Sequence, residues 1–267
     1  MISKSERLLI FRFLFSKKSD GYVSIFAWFS IIGISLGVAA IIIVMSVMNG
    51  FRIDLTNRII GLNSHLNIYS FDNEITNKQA DELILNIDNS FFYQHYKSIE
   101  TNGLIIKSNN SKGVMIKGYD EYDKNHYLFN SINMGALIQN PKSEILIGDS
   151  LANEMNLSVG DKVKIAIPKT DKTILGNIPR FKTLEVVGVF DLGLYEYDSN
   201  LIFLSSELVR KLLLYDEDIY NKIEFFTSSP NEIELFKNEV ELETSNLLLN
   251  FYSISWKDQN KTLINAL

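Results

Sequence analysis

The chain has no cysteine, only four prolines and only three histidines in 267 residues. Without cysteine there is no disulfide and no thiolate metal site. No G-x-x-x-x-G-K-[ST] occurs, and no Gly-Lys pair of any kind, so the chain has no P-loop for a nucleotide. His65, His95 and His126 are far apart and none lies in H-E-x-x-H, so each is expected as a surface or half-buried residue rather than a ligand. Asp216, Glu217 and Asp218 imitate a calcium loop only faintly. Asn221 stands where the turn glycine belongs, and Thr227 where the bidentate Glu is needed. No serine elbow or paired-carboxylate pattern stands out, so the residues give no warrant for catalysis and imply no cofactor. A basic excess is missing too. With 26 basic against 32 acidic residues the net charge is −6, which argues against a nucleic-acid partner.

One further absence is local. From Gly21 to Phe51 there is no charge at all, between Asp20 and Arg52. A bilayer core of about 30 Å needs roughly 20 apolar residues at about 1.5 Å rise each. This run is therefore expected to be a transmembrane helix, and an h-region of a cleaved signal peptide is too short to describe it. Residues 1–20 carry five basic groups (Lys4, Arg7, Arg12, Lys17, Lys18) against Glu6 and Asp20. Residues 52–267 carry the remaining 21 basic groups against 30 acidic ones. Lys and Arg collect on the cytoplasmic side of a span. The N-terminus is expected inside and the acidic bulk outside.

Residues 5–18, SERLLIFRFLFSKK, are too short to span and fit an interfacial helix at the inner leaflet. Inside the span Gly33 and Gly37 lie four apart, extended by Ser30 and Ala40. Small-xxx-small lets helix backbones approach closely, although chance produces it too in membrane helices rich in Gly and Ala. The helix is expected to continue as a stalk over 52–62.

Beyond it strands alternate with helices. HLNIYS (65–70) reads as a strand. TNKQADELILNI (76–87) reads as a helix with a Thr cap. SIETNGLIIKS and KGVMIKGYD read as paired strands turning near Asn109 and Asn110. From Pro141 come strand 144–147, a helix capped by Asp149, and KVKIAIP with Val163, Ile165 and Ile167 on one face. FKTLEVVGVF, NLIFL, the helix SSELVRKLLL, and a last strand-helix-strand over NKIEFFTSS, NEIELFKNEVE and LNFYSIS follow. Trp256 to Leu267 is expected to start a return helix. The fold class is α+β. The flanks 63–120 and 219–256 are expected to pack together, with a strand-rich part, about 142–204, inserted between them.

The segment Pro168-KTDKTILGNI-Pro179 carries Ile174, Leu175 and Ile178 beside Gly176, with Lys169, Lys172 and Arg180 around them. Ile and Leu at a hairpin tip make sense under a partner. A loop folded onto its own domain explains them equally well.

Three stretches together carry a resemblance. ISKSERLLIFRFLFSKKSDGYVSIFAWFSIIGISLGVAAIIIVMSVMNGF, IGDSLANEMNLSVGDKVKI and IPKTDKTILGNIPRFKTLEVVGVFDLGLYEYDSNLIFL resemble the transmembrane subunits of the lipoprotein-releasing ABC transporter (Lol C/E/F type). The last includes G-x-Y-E-Y-D-S from Gly193 to Ser199. The resemblance covers essentially the whole chain, and the first stretch alone also admits macrolide-exporter-like relatives.

It implies a bacterial inner-membrane protein with a MacB-type periplasmic domain of two mixed α/β subdomains over 63–256. Such subunits work in pairs with a cytoplasmic ATPase, which would leave this chain a non-catalytic permease. Lipoproteins are extracted from the inner membrane and passed to a periplasmic chaperone. The chaperone-binding hook falls on Pro168–Pro179, with Arg180 and Lys182 beside it. Met45, Met48 and Phe51 match the region that holds acyl chains and membrane lipid, to which flexible Met is suited.

Family members have four membrane helices, whereas this chain ends at Asn265-Ala266-Leu267, about where the second begins. A fragment, a split gene and a decaying gene are all open, and so is a bitopic periplasmic scaffold or sensor.

Overall fold

The structure, a computed structural model, describes residues 4–14, 21–62, 64–122, 126–173 and 176–262. Contacts divide them into a helical part up to Asn57 and a domain from Arg58 onward. The first part holds α1 (Lys4–Leu14) and most of α2 (Gly21–Leu62). At 42 residues α2 is about 63 Å long. Between Ile25 and Asp54 it is long and apolar enough to cross a membrane, and none of that stretch is buried within the chain. Ile, Leu, Val, Met and Phe stand exposed on every side of it. The helix needs a lipid or protein surround rather than a single packed stripe.

The domain is built on a sheet of ten strands among the described residues. Its strands are β1 (Leu66–Ser70), β3 (Gln94–Lys107), β4 (Asn110–Tyr119), β5 (Ile132–Gly135), β6 (Glu144–Gly148), β7 (Lys162–Thr173), β8 (Gly176–Phe190), β9 (Leu201–Ser205), β11 (Lys222–Phe226) and β12 (Phe251–Ser255). The order is β12-β1-β11-β3-β4-β9-β6-β8-β5, with β7 beside β3 and β8. Two short strands, β2 (Ile75–Thr76) and β10 (Ile219–Tyr220), pair separately. Pairing is antiparallel except β4 with β9 and β6 with β8. The flanks meet at one end, where β11 lies between β1 and β3.

Helices α3 (Asn77–Asn86), α4 (Asp149–Met155), α5 (Tyr195–Asn200), α6 (Ser206–Leu213), α7 (Ile233–Asn246) and α8 (Trp256–Gln259) complete the domain. One cluster packs Leu151, Met155, Leu208, Val209 and Leu212 from α4 and α6 on Ile145, Ile147, Ile202 and Leu204. On the other side Leu146, Leu201 and Phe203 join Tyr119, Leu128 and Phe190. Strands β6 and β9 are thus buried on both faces, which is why EILIG and LIFL read as unbroken apolar runs. β7 starts as an alternating strand. Val163, Ile165 and Ile167 are buried while Lys162 and Lys164 face out.

Thr76 caps α3 as expected. Its hydroxyl accepts the Gln79 N–H at 3.3 Å and the Gln79 side chain accepts the Thr76 N–H at 3.0 Å. The cap of α4 differs. Gly148 holds that position without a side-chain bond, and Asp149 is the first helical residue. A side chain at 148 would run into the backbone of Asp198, so the close approach selects glycine. The helix from Trp256 is interrupted: α8 ends at Gln259, Asn260 is a turn, Lys261 and Thr262 are helical again, and residues 263–267 lie outside the described ones. A 3-10 turn (Tyr127–Ser131), β5 and α5 were not legible from periodicity.

Candidate functional site

The proline-bounded segment is a continuation of two strands. β7 and β8 stay paired from Lys162↔Glu185 to Thr173↔Gly176. β3 supports β7 only at Ala166, Ile165 and Lys164. β6 supports β8 only from Glu185 onward. Beyond Ile167 and Arg180 the described pairing is a two-stranded ribbon. Pro168 sits in the register shift between Ile167 and Thr170, where its missing N–H removes no ladder bond. Pro179 pairs with Thr170 just past the shift. From Pro168 to Pro179, which includes Gly176 and Ile178, the description is of backbone only. Ile174 and Leu175 lie outside the described residues.

At the root of the ribbon the two basic residues behave differently. Arg180 is half-buried, and its Nη1 donates to the Lys211 carbonyl 3.1 Å away in the last turn of α6. A cation on those carbonyls is favourable, because they have no partner within the helix. Lys182 is exposed.

On α2, Met45, Met48 and Phe51 are all exposed and recur every three residues. Met45 and Met48 line a shallow concavity with Ser46, Asn49 and Arg52, and Phe51 lies outside it. A methyl group at Gly33 or Gly37 would meet nothing within 4 Å, so the small-residue face is open within this chain.

Two of the three histidines are buried rather than superficial. His65 is 5% exposed and His126 1%. Both are held by hydrogen bonds and ring contacts, His65 to Thr227 and Phe226, His126 to Leu128 and Tyr127. Among the described residues no group of three or more His, Asp or Glu side chains converges as a metal site.

Sequence reasoning missed a buried ionic network across β11, β3 and β4. Lys222 Nζ lies 2.9 Å from Glu100 Oε2 and 3.0 Å from Glu224 Oε1. Lys117 Nζ lies 2.8 Å from the same Glu224 oxygen, and the Tyr119 hydroxyl donates to Oε2 at 2.5 Å. Glu100 stands opposite Lys117 in the β3–β4 ladder. Burial pushes Glu224 up, but the Lys117 and Lys222 ammoniums outweigh it and hold the carboxyl well below the usual range. Burial likewise works against the charge on Lys222, yet Glu224 and Glu100 keep its pKa well above the ordinary lysine value. Burial opposes the charge on Glu100 too, and the Lys222 and Lys117 ammoniums again outweigh it and lower its pKa. The carboxylates and Lys222 thus favour their charged forms, and the network is suited to holding strands together. Lys222-Ile-Glu224 and Lys117-Gly-Tyr119 have the i, i+2 spacing of a solvated strand face, which hides it.

The chain matches the model of the MacB-like periplasmic core domain over residues 27–241. It belongs to that family. Among curated proteins it is 29% identical over 213 residues to the lipoprotein-releasing system transmembrane protein LolC of Neisseria meningitidis serogroup B, covering 78% of this chain and 51% of that one. Against LolC of Buchnera aphidicola from Acyrthosiphon pisum the identity is 26% over 261 residues, covering 96% and 62%. Against LolE of Haemophilus influenzae it is 25% over 226 residues, covering 82% and 54%. The periplasmic region of MacB from Actinobacillus actinomycetemcomitans superposes with a TM-score of 0.49 at 16% identity, over 78% of this chain and 96% of that one. The chain spans about half the length of the first curated relatives it matches. This chain joins an apolar N-terminal helix to a MacB-like α+β domain.

Proposed function

We propose that this chain supplies the first membrane helix and the periplasmic domain of a permease subunit in an ABC transporter. The transporter extracts outer-membrane-directed lipoproteins from the inner membrane and hands them to a periplasmic chaperone. LolC relatives aligned over as much as 96% of the chain carry this reading. ATP hydrolysis belongs to a cytoplasmic partner, and a second membrane subunit, identical or homologous, faces this one through Gly33 and Gly37. Met45, Met48 and Phe51 touch lipid and acyl chains. The permease works by binding and conformational change rather than by bond chemistry. The N-terminus is cytoplasmic and the domain periplasmic, as the basic residues before α2 favour. Strands from 142 to 204 form the inserted subdomain of the 63–256 domain.

The chaperone docks on the ribbon Pro168–Pro179, with Lys182 available beside it. A strand pair that leaves its sheet presents backbone and side chains on both faces, which supports this assignment. Photocrosslinkers placed at 174 or 175 in membrane-inserted protein are expected to capture a periplasmic lipoprotein chaperone. Repeated failure with folded protein sinks the docking assignment. Capture of an unrelated envelope protein favours a scaffold instead.

A further inference from the structure

His65 stands between the end of α2 and the start of β1, at the point where the chain enters the sheet. The chain leaves through β12, the neighbour of β1, directly into α8. Every helix end carries polar groups that its own hydrogen bonds cannot reach: the last four carbonyls and the first four N–H groups. In α2 these carbonyls include Ile60. In α8 the N–H groups include Trp256.

His65 answers one of each. Its Nε2 lies 3.0 Å from the Ile60 carbonyl oxygen. Its own carbonyl accepts the Trp256 N–H at 2.9 Å. On a third side Nδ1 accepts the N–H of Thr227, the residue after β11, also at 2.9 Å. Its backbone N–H donates to Phe225 in β11 at 2.8 Å. Phe226 closes the pocket edge-on, with ring centroids 5.6 Å apart.

The chemistry of these partners sets the protonation of the ring. An amide N–H only donates, so Nδ1 must offer its lone pair. A carbonyl only accepts, so Nε2 must carry the hydrogen. A single neutral tautomer satisfies both, and an imidazolium would oppose two donors at Nδ1.

We infer that His65 is a positioning residue, a neutral imidazole joint that ties the last turn of α2 to the end of β11 and seats the first residue of α8 beside them. A displacement of that turn must carry β11 with it or break the joint. The inference stands apart from the transport reading, since it concerns how the domain holds its two chain ends, whatever the domain binds.

Two substitutions divide the joint between its ends. His65→Asn keeps an acceptor near the δ position for Thr227 and has nothing that reaches Ile60. His65→Gln keeps a donor near the ε position for Ile60 and offers Thr227 no acceptor. Amide hydrogen exchange is measured on the full chain in lipid nanodiscs. For His65→Asn, exchange over 58–62 is expected to rise roughly 3- to 10-fold with Thr227 unchanged. For His65→Gln the Thr227 amide is expected to speed up by a similar factor with 58–62 unchanged. If both variants loosen both places alike, or neither changes either, His65 is ordinary packing and the inference falls. Should either variant not fold, ring 15N shifts of the wild-type protein at pH 7 decide. The Nε2–H tautomer is expected, and an Nδ1–H or doubly protonated ring overturns the joint.

Discussion

Two parts of the same sheet are held by different chemistry. Around β6 and β9 the cohesion is apolar on both faces, with Ile145, Ile147, Ile202 and Leu204 on one side and Leu146, Leu201 and Phe203 on the other. Around β3, β4 and β11 one face carries Glu100, Lys117, Lys222 and Glu224. Apolar contact scales with area and is tolerant of small shifts. Ion pairs at 2.8 to 3.0 Å are not tolerant, because a one-residue slip turns every charge to the other face. The apolar part supplies bulk stability, and the ionic part selects the register in which distant flanks of the chain meet. Buried ions need not add net stability, and the short pairs Lys117–Glu224 and Lys222–Glu224 suit this network to fixing register.

The sharpest way to break this comparison is Glu224→Ala. It leaves Lys117 without its carboxylate and Lys222 with Glu100 alone, and is expected to cost about 3–5 kcal/mol in urea unfolding. Ile147→Val, in the apolar part, is expected to cost only about 0.5–1.5 kcal/mol. Equal losses would mean that the ions are well solvated and dispensable. The double variant Lys117→Met/Glu224→Met should cost less than the two single changes added together, because each single change strands a charge.

A smaller effect separates the two parts by pH. Burial lowers the His65 pKa below its usual 6.5, against hydrogen bonds to Ile60 and Thr227 that raise it. Its neutral form therefore contributes stability that is complete above 6.5 and is lost as pH falls from there through the folded-state value. The carboxyls of Glu100 and Glu224, also lowered, lose their contribution only below their usual 4.5. Lys222, raised, contributes fully below its usual 10.5 and loses that contribution only at higher pH. Thermal unfolding should thus show a first decline setting in near 6.5 and a second below 4.5. His65→Gln is expected to shrink the first, to which His95, also lowered by burial, contributes, and to keep the second. If the first decline survives undiminished, other groups cause it.

How much of this was legible in the residues follows the same division. EILIG and LIFL announce strands buried on both faces, and KVKIAIP announces one buried on a single face, because hydrophobic pattern is local information. Thr76 and Gln79 announce their helix start through the capping-box spacing. Lys117 and Glu224 are 107 residues apart, and nothing near either marks it as buried. The same holds for His65, whose partners Thr227 and Trp256 are brought to it only by the return of β11 and β12. α5 begins at Tyr195 without a side-chain cap, so no start signal exists to be seen. For the candidate site, the prolines mark the ribbon's limits, but that Arg180 reaches the end of α6 depends on tertiary structure.

The ribbon beyond Ile167 and Arg180 belongs to neither part, and it gives the smallest stability effect. A lone two-stranded hairpin is marginal in water, and the strands of this one pair only with each other beyond the register shift. Replacing Lys169–Ile178 by a two-residue Asn-Gly turn keeps the supported strands and should change unfolding by no more than about 0.5 kcal/mol. The same change is expected to abolish chaperone capture, while Lys182→Ala, which removes one rim charge, weakens it only in part. Stability and capture lost together would place the ribbon within the fold's own support. Stability kept and capture lost would make it a partner surface that the sheet carries but does not need.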